Sequence, residues 1–389
     1  MEWGKTMEQG FEEKLTAIRH DLHRHPELGM QEERTKSVVA AYLRQLGLEV
    51  YESAGVIGIL KAGKGNRAIG LRADMDALPI RETGTHDHIS SNPGVMHACG
   101  HDGHTAMLLG AAEILSKDAD FDGTVVFIFQ PDEEQGRGAL AMIEEGVLER
   151  FSIQEVYGIH NLPGAPLGQI STRVGQICAS ENLFEIEIIG RGGHSSMPHV
   201  GVEALTVGAE MVLSLQMIIA RKMPPDCGAV FSITEILSDG QRNVLPGRVV
   251  LRGDARARSP EDRKALEVFM RQIAEGIGKA HGVEVKTRFD TEFIEAFNAE
   301  LPTEAVVRVS RSLGYETIGD RPPMSFSEDF AHFSAAVPGC FLLLGNGEDG
   351  AHGRPLHAAD YDFNDALLPI GAKFWAALAR DRLAKPGQA

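Results

Sequence analysis

The sequence predicts an α/β fold: an α/β domain with a mostly parallel sheet, interrupted by an inserted ferredoxin-like α+β domain. Three observations predict it. Apolar strand-like runs alternate with 3.6-residue helical patterns through the first part of the chain. Between about residues 182 and 290 the order changes to β-α-β-β-α-β, the ferredoxin-like arrangement. The α/β alternation then resumes to the last helix. The expected division is 1–181 with 291–389, and 182–290.

Phe11, Leu15, Ile18 and Leu22 fall on one helical face. TKSVVAAYLRQLG forms a second helix, with Gly47 as its stop. LEVYES, VIGILKAG and AIGLRAD read as strands. HTAMLLGAAEILSK is a helix, TVVFIF a buried strand, ALAMIEEGVLE a helix and EVYGIHN a strand. In the middle, FEIEIIG alternates, as a sheet with one covered face should. EALTVGAEMVLSLQMIIARK is a long helix, followed by strands AVFSITEIL and VVLRGDARAR. A helix starts near Pro260 with Leu266, Ile273, Ile277 and Ala280 on one face, and VEVKTRF is the next strand. The chain closes with helix TEAVVRVSRSLG, strand CFLLLGN and a helix carrying Leu367, Ile370, Phe374 and Leu378.

Composition narrows the function classes. The 389 residues are 43% apolar and 24% charged, ordinary for a globular protein. The net charge is −17, and no basic stripe suits a phosphate backbone, so nucleic acid is not an expected partner. Cys99, Cys178, Cys227 and Cys340 are too sparse for a disulfide framework and form no CxxC. MEWGKTMEQGFEEK has no apolar core of a signal peptide. VVFIF and FLLL are too short to span a bilayer. The expectation is a cytoplasmic protein with reduced cysteines and no membrane partner.

The densest chemistry is MHACGHDGHT, with His97, Cys99, His101, Asp102 and His104 between a strand and a helix. Imidazole and thiolate suit zinc-like ions. A lone histidine there would read as a cap, but three with a cysteine favour metal. QPDEEQGRG places Asp132, Glu133 and Glu134 at the end of a core strand, where neighbours point different ways. One carboxylate can then bind metal while the next faces a substrate; a solvated acidic turn is the other reading. His160 ends a strand and His357 lies in a polar loop. Together these segments supply ligand-type residues from four loops.

RADMDALPI, MHACGHDGHT, FQPDEE, GIHN, GRGGHSSMPH, NVLP, SEDF and LHAADYDFND, in this order and spacing, resemble the hippurate hydrolase and N-acyl-amino-acid amidohydrolase family. That family includes the auxin-conjugate hydrolases and is related to dinuclear-metal exopeptidases and aminoacylases. The resemblance covers almost the whole chain. It implies a catalytic domain interrupted by a lid through which homodimers or higher homo-oligomers form. It implies two divalent metals (Zn, Mn, Co or Ni) held by Cys99, His101, Glu134, His160 and His357, with Glu133 as general base. It implies that His194, on the lid, reaches the carbonyl oxygen, in its own site or a partner's. Asn243 and Arg256 are then candidates for the substrate carboxylate, Arg256 being equally readable as a strand-surface ion pair. Asp74 and Asp76 would support the metal ligands from behind.

Two positions depart from the family pattern: Asp132 stands where a small residue is usual, and Asp254 where Thr is frequent. Both bear on substrate identity rather than on the chemistry. The resulting expectation is an amidohydrolase cleaving a small N-acyl amino acid. Its rivals are a dipeptidase or exopeptidase on the same scaffold, and a metal- or ligand-binding relative without catalysis. A base beside Glu134 argues against the last.

Overall fold

The computed structural model describes residues 10–385, so most of the stretch read for a signal peptide (1–9) lies outside the described residues. The chain forms two compact units. The outer unit comprises 10–177, Ala296–Pro322 and 329–385; the inner comprises Cys178–Glu295 and Pro323–Glu328. These divisions lie a few residues from those suggested by the sequence, and the short segment Pro323–Glu328 had been assigned to the outer unit.

The outer unit opens with α1 (Phe11–Arg24), α2 (Glu33–Gln45), β1 (Glu49–Glu52), β2 (Val56–Ala62) and β3 (Ala68–Asp74). It continues with α3 (His101–Lys117), β4 (Gly123–Gln130), α4 (Gly138–Glu144), α5 (Val147–Arg150), β5 (Glu155–Pro163), β6 (Ile170–Ser171) and β7 (Gly175–Cys178). The inner unit holds β8 (Glu181–Ile189), β9 (Gly193–His194), α6 (Ala204–Leu215), β10 (Val230–Ser238), β11 (Val244–Leu245), β12 (Arg248–Arg256), α7 (Pro260–His281) and β13 (Glu284–Phe293). The outer unit then completes itself with β14 (Ala296–Asn298), α8 (Glu300–Ser312), β15 (Thr317–Ile318), α9 (Phe330–Ala336), β16 (Gly339–Gly347) and α10 (Leu367–Arg382).

The outer sheet has the order β1-β2-β4-β3-β5-β16-β6-β15. Its centre, β4-β3-β5-β16, is parallel, and β1 and β2 are antiparallel at one side. Every residue of β3 is buried, as a parallel strand covered on both faces requires. α3 is buried nearly all round because it packs against α1, α10 and β3, and its apolar run leaves no face for water. The single helix expected over ALAMIEEGVLE is broken: Gly146 takes φ 78 between α4 and α5. A left-handed residue cannot continue a helix, and glycine adopts it without steric cost.

The inner sheet has the order β10-β12-β8-β13, all antiparallel. Phe184, Ile186 and Ile188 of β8 and Val249 and Leu251 of β12 point to one face and join α6 and α7 in an apolar core. Glu185, Glu187 and Arg252 alternate onto the other, so a one-residue register slip would invert both faces. Ser259 caps α7 by accepting the Asp262 N–H at 3.1 Å, and Pro260 fits the first turn, which needs no donor there. Such a cap contributes about 1 kcal/mol. Ala204–Lys222 is long and apolar enough, by length and composition, to cross a membrane, a stretch the sequence reading did not weigh in that respect. In the inner unit Val207, Met211, Leu215 and Ile218 of this stretch are core residues.

Candidate active site

The donors gather at the ends of the outer sheet's parallel strands. Gly100 precedes α3 at φ 92, and a Cβ there would lie 2.5 Å from Asn161 Oδ1 and 2.7 Å from Tyr361 Oη. Only glycine meets both constraints. The helix therefore begins at His101, earlier than the His104 expected from periodicity, and Cys99 sits just before its first turn. His357 approaches from another loop in a left-handed conformation, φ 64, held by its N–H to the Ala98 carbonyl at 2.8 Å.

Cys99 Sγ lies 3.2 Å from His160 Nε2. The ligand atoms of Cys99, His101 and His160 are all within 4.8 Å of one another, as are those of Cys99, Glu134 and His357. The thiol is common to both triples. His101 is oriented from behind, its Nδ1 lying 3.0 Å from both the carbonyl and Oδ1 of Asp76. The other Asp76 oxygen accepts the Glu134 N–H at 3.0 Å. Among the described residues, His101 Nε2 and Glu134 Oε1 are buried without a hydrogen-bond partner; they stand 3.9 Å apart. His357 Nε2 is 3.3 Å from the same Glu134 oxygen. Buried polar atoms that converge without bonding call for an explanation, and a shared cation supplies one.

Burial opposes charge on His101, but Asp74, Asp76 and Glu134 outweigh it and push the imidazole up to about 10. Burial pushes the Cys99 thiol well up, with Glu134, Glu133 and Asp74 adding to it. Burial, with His104 beside it, drives His160 well down. The thiol, the imidazoles and the carboxylate gathered here are donors that fit a thiolate- and imidazole-binding divalent ion.

Glu133 is 5% exposed and its Oε1 accepts the Asp329 N–H at 3.4 Å. Asp132 adopts φ 48 and turns its carboxylate to Arg137 Nε at 2.6 Å. Asp74 receives His104 Nδ1 at 2.6 Å and Arg72 at 2.7 Å. His104 therefore buttresses the centre together with Asn161, 2.8 Å from its Nε2.

A family model described as peptidase family M20/M25/M40 matches residues 70–381. The chain belongs to this family. It is a hydrolase, like its named relatives. The hippurate hydrolase of Campylobacter jejuni is 37% identical over 93% of this chain and 94% of its own. The N-acetylcysteine deacetylase of Bacillus subtilis is 34% identical over 96% and 97%. Among solved structures, the Bacillus subtilis YXEP protein, described as a dinuclear metal binding peptidase from the M20 family, superposes with a TM-score of 0.83 at 31% identity over 96% and 98% of the two chains.

The other candidates lie on the M20 chain's inner unit. β9 pairs with β11, so His194 faces Val244 and adjoins Asn243, whose carbonyl accepts the Ser195 N–H at 3.1 Å. His194 is exposed, and its Nδ1 accepts from Ser196 N and lies 2.8 Å from Ser196 Oγ. That assigns the proton to Nε2, a free donor. Arg256 shows the ion-pair reading: Nε donates to Asp254 at 2.8 Å, Nη1 to Ser327 at 2.8 Å, and Nη2 lies 2.7 Å from Glu181. Asp254 thus occupies the guanidinium from within the unit. The sequence reading missed Asp329, which binds Arg72 and Gln130 at 2.8 Å, although it stands in the quoted SEDF motif. It also gave no role to Asp102, which pairs with Arg19 and His23 rather than joining the donors.

Proposed function

We propose that this chain cleaves the amide bond of N-acyl amino acids, releasing a carboxylic acid and a free amino acid. One observation carries the reading: Cys99 is shared by two groups of three donors, and the buried Glu133 carboxylate adjoins one of those donors in sequence. The names of the hippurate hydrolase and N-acetylcysteine deacetylase relatives support the substrate class.

In this reading Cys99, His101, Glu134, His160 and His357 hold two divalent ions of the Zn, Mn, Co or Ni type. Bound ions supply Lewis acidity and a more acidic water. Glu133 accepts the proton of the attacking water and returns it to the leaving amine. Asp76 holds His101 by Nδ1 so that Nε2 is aimed toward Glu134, and Asp74 steadies His104. His194 donates from Nε2 to the carbonyl oxygen as negative charge develops there, in its own site or in a partner's. Asn243 and Arg256 meet the substrate carboxylate, Arg256 by exchanging one of its present carboxylates for it.

The reading includes homo-oligomers formed through the inner unit acting as a lid. β10 is an edge strand of its sheet and exposes Val230, Ile236 and Leu237, while α6 exposes Leu205 and Leu213, and Met217 just after it is exposed as well. An open strand edge beside apolar side chains is suited to pairing with a second copy. Four free cysteines support a reducing, cytoplasmic location.

The test is turnover of benzoylglycine, acetyl amino acids and dipeptides by protein stripped with chelator and reloaded with each metal. The expected outcome is loss of activity on stripping, recovery on reloading, and acylated amino acids as the preferred substrates. Faster turnover of dipeptides would replace this reading by an exopeptidase. No turnover by metal-loaded protein would replace it by a binding protein.

A further inference from the structure

A second histidine-rich cluster lies in the outer unit and has no part in the chemistry above. α1 contributes His20 and His23; the segment after β3 contributes Glu82, His86 and His88; the loop before α10 contributes Asp362 and Asp365. His23 is oriented from behind: its Nδ1 is 2.8 Å from Asp102 Oδ2, which also receives Arg19 Nε at 2.8 Å. His23 Nε2, on the other side of the ring, hydrogen-bonds Glu82 Oε1 at 3.1 Å, a contact that an ion held between the two would replace. His86 Nε2 lies 2.8 Å from the same Glu82 oxygen. Yet among the described residues neither ring nitrogen of the buried His86 edge has a hydrogen-bond partner, so the short contact is off the line that a hydrogen bond needs. The ligand atoms of His23, Glu82 and His86 lie within 4.8 Å of one another.

The charge around them is unbalanced. Asp102, Asp362, Asp365 and Glu82 are paired, among the described residues, with one guanidinium, that of Arg19, and with histidines. Four carboxylates thus face one guanidinium, a setting that draws cations. His20, His88 and His86 stack at successive centroid distances of 3.8 Å. His88 Nε2 lies 2.7 Å from Arg19 Nη1 and 3.2 Å from Asp362; the guanidinium against it opposes a second cation there, and His88 is the spacer that aligns His86.

We propose that His23, Glu82 and His86 form a further metal site, separate from the Cys99 centre, for a borderline divalent ion such as Zn²⁺ or Ni²⁺. Two imidazole nitrogens and one carboxylate oxygen make a three-donor set that zinc accepts with water in the fourth place. The Asp102–His23 pair is the carboxylate–histidine arrangement that orients such ligands. An ion here ties α1 to the segment that runs on to His97 and Cys99, so binding stabilises the fold rather than the reaction.

The experiment uses the full chain, stripped and titrated with Zn²⁺, with bound metal counted by elemental analysis. Wild type is expected to bind one equivalent more than His86→Ala. A chain carrying Cys99→Ser and Glu134→Gln, which disables the other donor set, is expected to keep one equivalent, to gain thermal stability with Zn²⁺, and to lose both when His86→Ala is added. His86→Gln, which keeps size and polarity, serves if the alanine variant does not fold, and is expected to weaken binding by at least ~10²-fold. Equal metal counts in wild type and both His86 variants would overturn the site. So would a Cys99→Ser/Glu134→Gln chain that binds no Zn²⁺, a result that leaves the Cys99 centre untouched.

Discussion

The two units handle charge in opposite ways. In the outer unit Arg19, Arg72, Asp74 and Asp102 are wholly buried and form the pairs Arg19–Asp102 and Arg72–Asp74, with Asp329 bridging Arg72 to Gln130. In the inner unit the pair of Arg252 with Glu235, which crosses from β12 to β10, lies in water: both side chains are half exposed. Its core cluster is built of apolar side chains. Taking charge out of water costs several kcal/mol per ion unless geometry repays it. A fold that does so repeatedly in one unit is holding polar groups in place, whereas the inner sheet exposes one face and is stabilised by burial on the other.

The sharpest test of that contrast is Glu133→Gln, which is expected to lower kcat by ~10²–10⁴ with metal content unchanged. Loss of metal instead would exchange its role with that of Glu134. His194→Ala asks whether the inner unit is scaffold alone; loss of one oxyanion donor is expected to lower kcat by ~10²–10³, again at constant metal content. Mixing Glu133→Gln and His194→Ala chains under verified subunit exchange should restore some activity if the histidine serves a partner's site. Arg72→Met removes one member of a buried network and is expected to cost ~3–5 kcal/mol in denaturant unfolding, because Asp74 and Asp329 stay behind uncompensated.

Glu113 gives a pH-dependent version. Burial would raise its carboxyl, but Lys117, Lys14 and Tyr42 outweigh that and hold it at about 2. A depressed carboxylate stabilises the fold above its ordinary value of 4.5 and loses that contribution as pH falls toward about 2. Glu113→Gln should therefore cost ~1–3 kcal/mol at neutral pH, with the gap to wild type closing in acid unfolding titrations. The smallest effect is expected from Arg252→Met on the inner sheet, within ~0.5 kcal/mol of wild type. A cost like that of Arg72 would erase the contrast between the units.

Elements whose signal is local were legible in the sequence. α1 and α10 announce themselves by helical periodicity and β3 by a short apolar run, and the inner β-α-β-β-α-β order matches the observed sheet. Where a long-range contact decides, the sequence was mute. Pro323–Glu328 joins the inner unit through the Ala179 N–H to the Phe326 carbonyl at 3.0 Å, and β6 and β15 are two-residue strands that no propensity marks. The donor residues were readable because thiol, imidazole and carboxylate rarely crowd into so few segments. That Arg256 is engaged by Asp254, Glu181 and Ser327 was not, since a strand pattern gives each side chain a face but not a partner.

The outer unit's discontinuity also sets a timetable on the ribosome. Cys99, His101, Glu134 and His160 emerge well before His357, which follows the whole inner unit. At ~5–20 residues per second, that interval is about 10–40 s. Throughout it β5 lacks β16, its parallel neighbour, and a nascent chain carries a bare thiol beside an unpaired strand edge. A centre of the proposed composition can therefore be complete only once the inner unit has been made and the segment carrying His357 has followed it.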